Sequence, residues 1–327
     1  MQKTKVLVPS GVLGLGFDNN AFENGLKLSP DIISIDGGST DSGPFSLGTG
    51  TSKYSRSSIK SEWKALMIGR AKLNIPLIIG SCGTCGTNNM VDWMEEITIE
   101  IATELNQNLK IAKLYCEISK KELKKKFKNK QIHQLDPPVR LNEDKIDRMA
   151  HIVALAGAEQ IQNAIKTDAD IILAGRTTDT AIISALPLMK GANLGSSWHG
   201  AKVAECGALC STDPTSGVVM IEFDKNGFIV FPTSKNAKCT PYTVSAHMLY
   251  ENSDPFKLYE PGGYMDVSEA TYKALDYKKV MVSGAKWFKD KNYFVKLEGA
   301  QISGYQTSSL ILIRDKKYVN NIEKWTS

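Results

Sequence analysis

The sequence predicts an α/β protein: a mainly parallel, doubly wound sheet followed by a smaller mixed α/β lobe rich in antiparallel strands. Three observations carry the prediction. Short, continuously apolar runs such as "PLIIG" and "DIILAG" alternate with amphipathic stretches up to residue 190, and their lack of polar alternation suits strands covered on both faces. The pattern changes after Gly191, where "GVVMIEFDKNGFIVFP" reads as two strands about an Asp-Lys-Asn-Gly turn. The chain has 327 residues, 42% hydrophobic and 23% charged, a length and balance suited to one large α/β unit or two lobes.

Taken in order, strands are predicted at 5–9, 31–36, 76–80, 110–117 and 170–174, with helices at 57–72, 90–105, 143–164 and 179–188. Strands joined by helices of this length imply right-handed crossovers and a parallel sheet, so residues 1–190 are expected to form one domain. Residues 191–315 are expected to form the mixed lobe, with strands at 278–283, 293–297 and 308–314 and a helix over 242–252. Residues 316–327 are read as a tail.

Forty basic residues face 35 acidic ones, a net charge of +5, so there is no broad cationic field. The dense run "KKELKKKFKNK" at 120–130 contains Glu122 and a single aromatic, the marks of a solvated helix face, and no nucleic-acid partner is expected. No apolar run approaches the ~18–20 residues of a membrane span. "MQKTKVLVPSG" reads as a first strand rather than a signal peptide. Six cysteines are too sparse for a secreted disulfide scaffold. A cytoplasmic protein with reduced thiols and no membrane contact is the expectation.

Ligands of open parallel sheets bind beyond the carboxyl ends of the strands. Four predicted strand ends carry loops dense in small and polar residues: "VPSGVLGLGFDNN", "IDGGSTDSGPFSLGTGTSKYSR", "GSCGTCGTNN" and "AGRTTDT". One polar residue would suffice to cap each following helix, and these loops carry several. Arg176 can hold a carboxylate or phosphate bidentately, and Thr177, Asp179 and Thr180 follow it. With Asp36, Ser39, Thr40, Asp41 and Ser81 these residues are expected to converge on one anion-accepting cleft. Glu205 and His199 are read as acid/base groups reaching it from the second lobe.

"GVLGLGFDN" spaces its glycines as GxxGxG rather than GxGxxG, and there is no GxxxxGK[ST]. No nucleotide cofactor is inferred; the cofactor is unknown, and no metal site is assigned. Cys82 and Cys85 form a C-x-x-C whose readings are a redox pair, a metal clip or a tight binding loop. Cys206 and Cys210 suit buried small positions, and His247 either packs or lines a cleft.

The blocks "IDGGSTDSGPFSLGTG", "IPLIIGSCGTCG", "AGRTTDTAIISALPL", "WHGAKVAECGAL", "CTPYTVSAHMLYENSDPF", "LYEPGG" and "VKLEGAQISGYQT" resemble, in this order, the acyclic terpene utilisation (AtuA-type) family. The resemblance spans roughly residues 5 to 315. It implies a cytoplasmic α/β protein, often encoded beside a small ferredoxin-fold-like partner and genes of acyl-CoA or carboxylic-acid catabolism. It places Asp36, Ser39, Thr40 and Asp41 in one family block and Arg176, Asp179 and Thr180 in another. His199, Glu205 and Cys206 fall in a third, and Glu298 in "KLEGA". Relatives carry small residues where this chain has Cys82 and Cys85. Longer relatives continue past the equivalent of Arg314, which implies a separate subunit supplying that part, or a fragment.

The leading expectation is an enzyme of lyase, hydratase or isomerase type acting on a small carboxylic acid or its CoA thioester, a small anionic substrate. Arg176 is its expected clamp, Asp36 or Asp41 its base, Glu205 or His199 the partner acid, and loop N–H groups the oxyanion donors. A homo-oligomer is expected. One rival is a non-catalytic binding or assembly subunit partnered with the small ferredoxin-fold-like protein. Another is a thiol-dependent enzyme using Cys82 or Cys206.

Overall fold

Runs of Val, Ile and Leu too apolar to face water on either side form the centre of the structure. The computed structural model describes residues 3–39, 43–138, 140–250 and 252–326. Strand Thr4–Val8 (β1) is followed by helix Asn19–Leu26 (α1), strand Ile32–Asp36 (β2), helices Phe45–Thr49 (α2) and Arg56–Leu73 (α3), and strand Leu77–Gly80 (β3). Helix Asn88–Glu104 (α4) leads to strand Ile111–Leu114 (β4) and helices Lys120–Lys128 (α5) and Glu143–Arg148 (α6). Strand Met149–Ala154 (β5), helix Ala158–Ile165 (α7) and strand Ile171–Ala174 (β6) come next. Helices Ala181–Met189 (α8) and Leu194–Ala204 (α9) precede the hairpin Val219–Phe223 (β7) and Phe228–Pro232 (β8). Helix Pro241–Ala246 (α10) and strands Lys257–Glu260 (β9), Gly263–Asp266 (β10) and Thr271–Ala274 (β11) follow. The remainder is Val280–Ser283 (β12), Lys286–Lys289 (β13), Leu297–Gln301 (β14), and helices Lys316–Val319 (α11) and Ile322–Thr326 (α12).

The main sheet runs β11-β12-β8-β7-β1-β2-β3-β6-β4. Its core β1-β2-β3-β6-β4 is parallel, as the sequence predicts, and β7, β8, β12 and β11 extend it antiparallel beyond β1. The sheet thus continues through the expected boundary at residue 190. Period-2 alternation divides its side chains between two layers. Val6, Ile32, Ile78 and Ile172 pack with Ile182, Ile183, Trp198 and Val203 of α8 and α9. Leu7, Ile33, Ile79 and Leu173 pack with Trp63, Met67, Met94 and Ile97 of α3 and α4. All of these side chains are at most 3% exposed, so both faces of the sheet are sealed at its centre. No helix among the described residues is long and apolar enough to cross a membrane.

Three local expectations are corrected. The single helix expected over 143–164 is two helices with β5 between them, because Met149–Ala154 pairs antiparallel with β14. The strand expected over 293–297 lies at Leu297–Gln301. Residues 308–314 form no strand: they are exposed, and no ladder partner is present among the described residues. In addition, α9 sits inside what reads as an antiparallel stretch, and α1 was not anticipated. The β5–β14 pair is what positions the site's far wall. Ala154 donates to the Cys116 carbonyl and Ala156 to the Arg176 carbonyl, which ties the pair to the carboxyl ends of β4 and β6.

Candidate functional site

The loops beyond the parallel strands are joined by backbone hydrogen bonds that continue the sheet past its ladder. Leu13 donates to the Asp36 carbonyl at 2.8 Å, Gly37 to Gly80 at 2.8 Å, Ser81 to Gly175 at 2.9 Å and Arg176 to Gly86 at 3.0 Å. This close approach demands glycine at one position above all. Gly86 has φ +63°, and a Cβ there would lie 2.2 Å from the Arg176 nitrogen.

These loops and the segment after α9 enclose a cavity of about 690 Å³, within the usual range for small-molecule sites. Asp36, Ser39 and Asp179 line it from the parallel half, and Glu205 and Cys206 line it from the other side. Of the residues expected to converge, the structure brings Asp36, Ser39, Asp179 and Glu205 to this cavity. Thr40 and Asp41 lie outside the described residues.

Asp36 ends β2 and is 4% exposed. Its Oδ2 accepts from Gly38 N–H at 3.0 Å, while Oδ1 has no hydrogen-bond partner among the described residues. Burial, and then the charge of Asp179, hold its carboxyl well above the usual carboxylate range, against the opposing pull of Arg176 and the Gly38 and Gly37 amides. Glu205 follows α9 and is 7% exposed. Burial, opposed by Lys202 and reinforced by Asp179, pushes it up to about 8. The Lys202 ammonium rests on the Glu205 Oε1 one helical turn away. Burial disfavours the Lys202 charge, but Glu205 outweighs it and the ammonium is retained.

Arg176 takes a place the sequence did not foretell. It is 4% exposed and does not line the cavity. Its Nε and Nη2 donate to the two Glu298 oxygens at 2.9 and 3.3 Å, and its Nη1 donates to Ser81 Oγ at 3.0 Å. Asp179 Oδ1 lies 3.9 Å from the guanidinium. The fork expected to grip a ligand ties β14 to the loops, and Glu298 is its counter-charge. Ser81, fully buried, serves as Arg176's acceptor, and Thr177 packs against Gly80. Thr180 donates to Glu260 Oε1 at 2.6 Å. Glu260 ends β9, and its Oε2 is sealed from solvent without a partner among the described residues, although the residue as a whole keeps some exposure. Burial, opposed by Thr180 and Thr178 and aided by Asp179, raises it to about 7.

His199 corrects an expectation. It sits fully buried in α9, edge-on to Phe228, with Nε2 3.1 Å from the Tyr272 hydroxyl, and it does not line the cavity. Burial lowers it to about 3, so it stays a neutral core residue. Cys82 and Cys85 are also fully buried, and burial raises both thiols, which leaves them packed rather than reactive. Lys202, Glu260 and His247 are the residues that the motif reading missed or left open. The K-x-x-E spacing of Lys202 and Glu205 was the available signal for one of them.

A model of the acyclic terpene utilisation family protein AtuA matches residues 65–325. The chain belongs to the AtuA family. No curated protein and no solved structure matches it. The matched span contains Arg176, Asp179, Glu205 and Glu298, whereas Asp36 and the first two loops precede it.

Proposed function

We propose that this AtuA family protein is an enzyme that moves a proton on a small carboxylic acid or its CoA thioester, acyclic terpene acids included. The reaction is abstraction beside the carbonyl or addition–elimination, in the manner of a lyase, hydratase or isomerase. One observation carries the reading: Asp36 and Glu205, from different segments, line the same cavity, and burial raises both carboxyls. A carboxyl held near neutrality can both keep and release a proton at working pH. Glu205 is the base, because Lys202 is already in place to stabilise its carboxylate. Asp36, with no cation in direct contact in the described structure, is the acid. Lys53, exposed on the cavity lining, takes the substrate's negative charge in place of Arg176. This chemistry belongs to the cytoplasm, where the six cysteines stay reduced.

The test is exchange of α-protons in deuterated water, followed by mass spectrometry across short, branched and isoprenoid acyl-CoA thioesters. Glu205→Gln should slow exchange by about 10²–10⁴-fold with the fold intact. Unchanged exchange in that variant overturns the assignment. A second reading, an assembly subunit for the small ferredoxin-fold-like partner or for further copies of the chain, has its own observation. Leu310, Ile311 and Leu312 are 94%, 74% and 87% exposed in succession, an apolar run of the kind that partners cover. Co-purification that is lost in Leu310→Asp supports it.

A further inference from the structure

We propose that Cys206 is a nucleophile activated by His247 and Lys202, and that it accepts an acyl group from a thioester in the cavity. The proposal rests on the reading of that cavity as the reaction site, and adds to it a covalent step. Cys206 lines the cavity and is partly exposed, whereas the other five cysteines are buried. Donor atoms of Cys206, Glu205 and His247 lie within 4.8 Å of one another. His247 is 4% exposed, and its Nε2 has no hydrogen-bond partner among the described residues. The ring also interacts with the Lys202 backbone, and Nε2 is the nitrogen left available to take a proton. Tyr250 stacks on the ring at 5.6 Å and 19°, which fixes its plane.

A sulfur, a buried imidazole with an unpartnered nitrogen, and an aromatic ring that holds its plane are the parts an activated cysteine needs. Lys202 adds positive charge, since its ammonium interacts with Cys206 as well as with Glu205, and a cation beside a thiol favours the thiolate. The same donors would suit a zinc-type ion, but the Lys202 ammonium already rests on the Glu205 carboxylate. A divalent cation there would face a buried positive charge, so the thiol reading is the better one.

The step conserves electrons. The thiol proton passes to His247 Nε2 as the sulfur's electron pair bonds the thioester carbonyl carbon. The bond from that carbon to the departing sulfur breaks, and the departing sulfur takes the proton from His247. Water then adds to the acyl-cysteine, giving one proton to His247. Cys206 leaves with that proton and the free acid is released.

The experiment alkylates the full chain with iodoacetamide and follows the Cys206 peptide by mass spectrometry. Near pH 6.5, His247→Asn should slow Cys206 alkylation about a hundredfold, and near pH 10, where thiols ionise unaided, the two proteins should react alike. A variant that slows equally at both pH values indicates lost packing and overturns the proposal, as does no slowing at all. Stoichiometric zinc in the purified protein that disappears in Cys206→Ser also overturns it. Acetyl-CoA provides the second arm: a covalent acetyl group on Cys206 supports the step. Alkylation behaviour does not depend on proton exchange, so failure here leaves the Glu205 assignment standing, and the reverse.

Discussion

Removing the titration of Glu260 should change how stability depends on pH. Its carboxyl lies at about 7 in the folded protein against an ordinary 4.5, raised first by burial. Between those values the folded state holds a proton that the unfolded chain has released, so stability falls as pH rises through this window. Below about pH 4.5 the penalty is absent, and above about pH 7 it is complete. The gap of about 2.5 pH units, at 1.36 kcal/mol each, sets an upper limit of about 3 kcal/mol. Gln in this position still accepts from Thr180 and carries no charge. Urea unfolding at pH 5, 6, 7 and 8 should therefore show Glu260→Gln losing up to about 3 kcal/mol less than the parent across the series. Asp36 drives the same downward slope in both proteins, whereas Glu205 is itself raised by Glu260, so the difference between the two curves reports Glu260 together with its coupling to Glu205. Superimposable curves would refute the idea that burial holds a proton on this group.

Two further outcomes follow from the loops. Glu298→Ala leaves the Arg176 guanidinium buried without its bidentate partner and should cost about 3–5 kcal/mol in chemical denaturation. If Arg176 were instead a ligand clamp, the loss would fall on affinity and leave the denaturation midpoint in place. Gly86→Ala meets both a left-handed φ and the Arg176 backbone at 2.2 Å. It should lower stability by about 2–4 kcal/mol, and a melting temperature within experimental error of the parent would count against the stitched-loop geometry.

The parallel core was legible because its central strands are continuous apolar runs ended by glycine or a polar loop, as in Leu77–Gly80 and Ile171–Ala174. The β7–β8 hairpin was legible from its turn. What escaped detection depends on distant partners. Met149–Ala154 reads as helix when viewed alone and becomes a strand by pairing with Leu297–Gln301, far along the chain. Helix α9 is buried along ten of its eleven residues, so no polar face marks its period. At the site, Asp36, Asp179 and Glu205 were legible because strand and helix ends carry them to one edge. Arg176 was expected to clamp a ligand; its actual partner, Glu298, arrives by the same distant pairing that created β5, which no local motif reveals. Lys202 and Glu260 gain their role only from the packing that brings them near Asp179.

The backbone bonds that join the loops beyond β1, β2, β3 and β6 have a thermodynamic consequence for whatever enters the cavity. Leu13, Gly37, Ser81 and Arg176 are fixed by main-chain partners before any ligand arrives, so the ordering entropy of this wall is spent during folding. Association then costs little further loss of chain freedom on that side. The loops that carry the cavity lining act as a rigid template, and selectivity among ligands is decided by fit against a fixed shape rather than by how readily the protein rearranges.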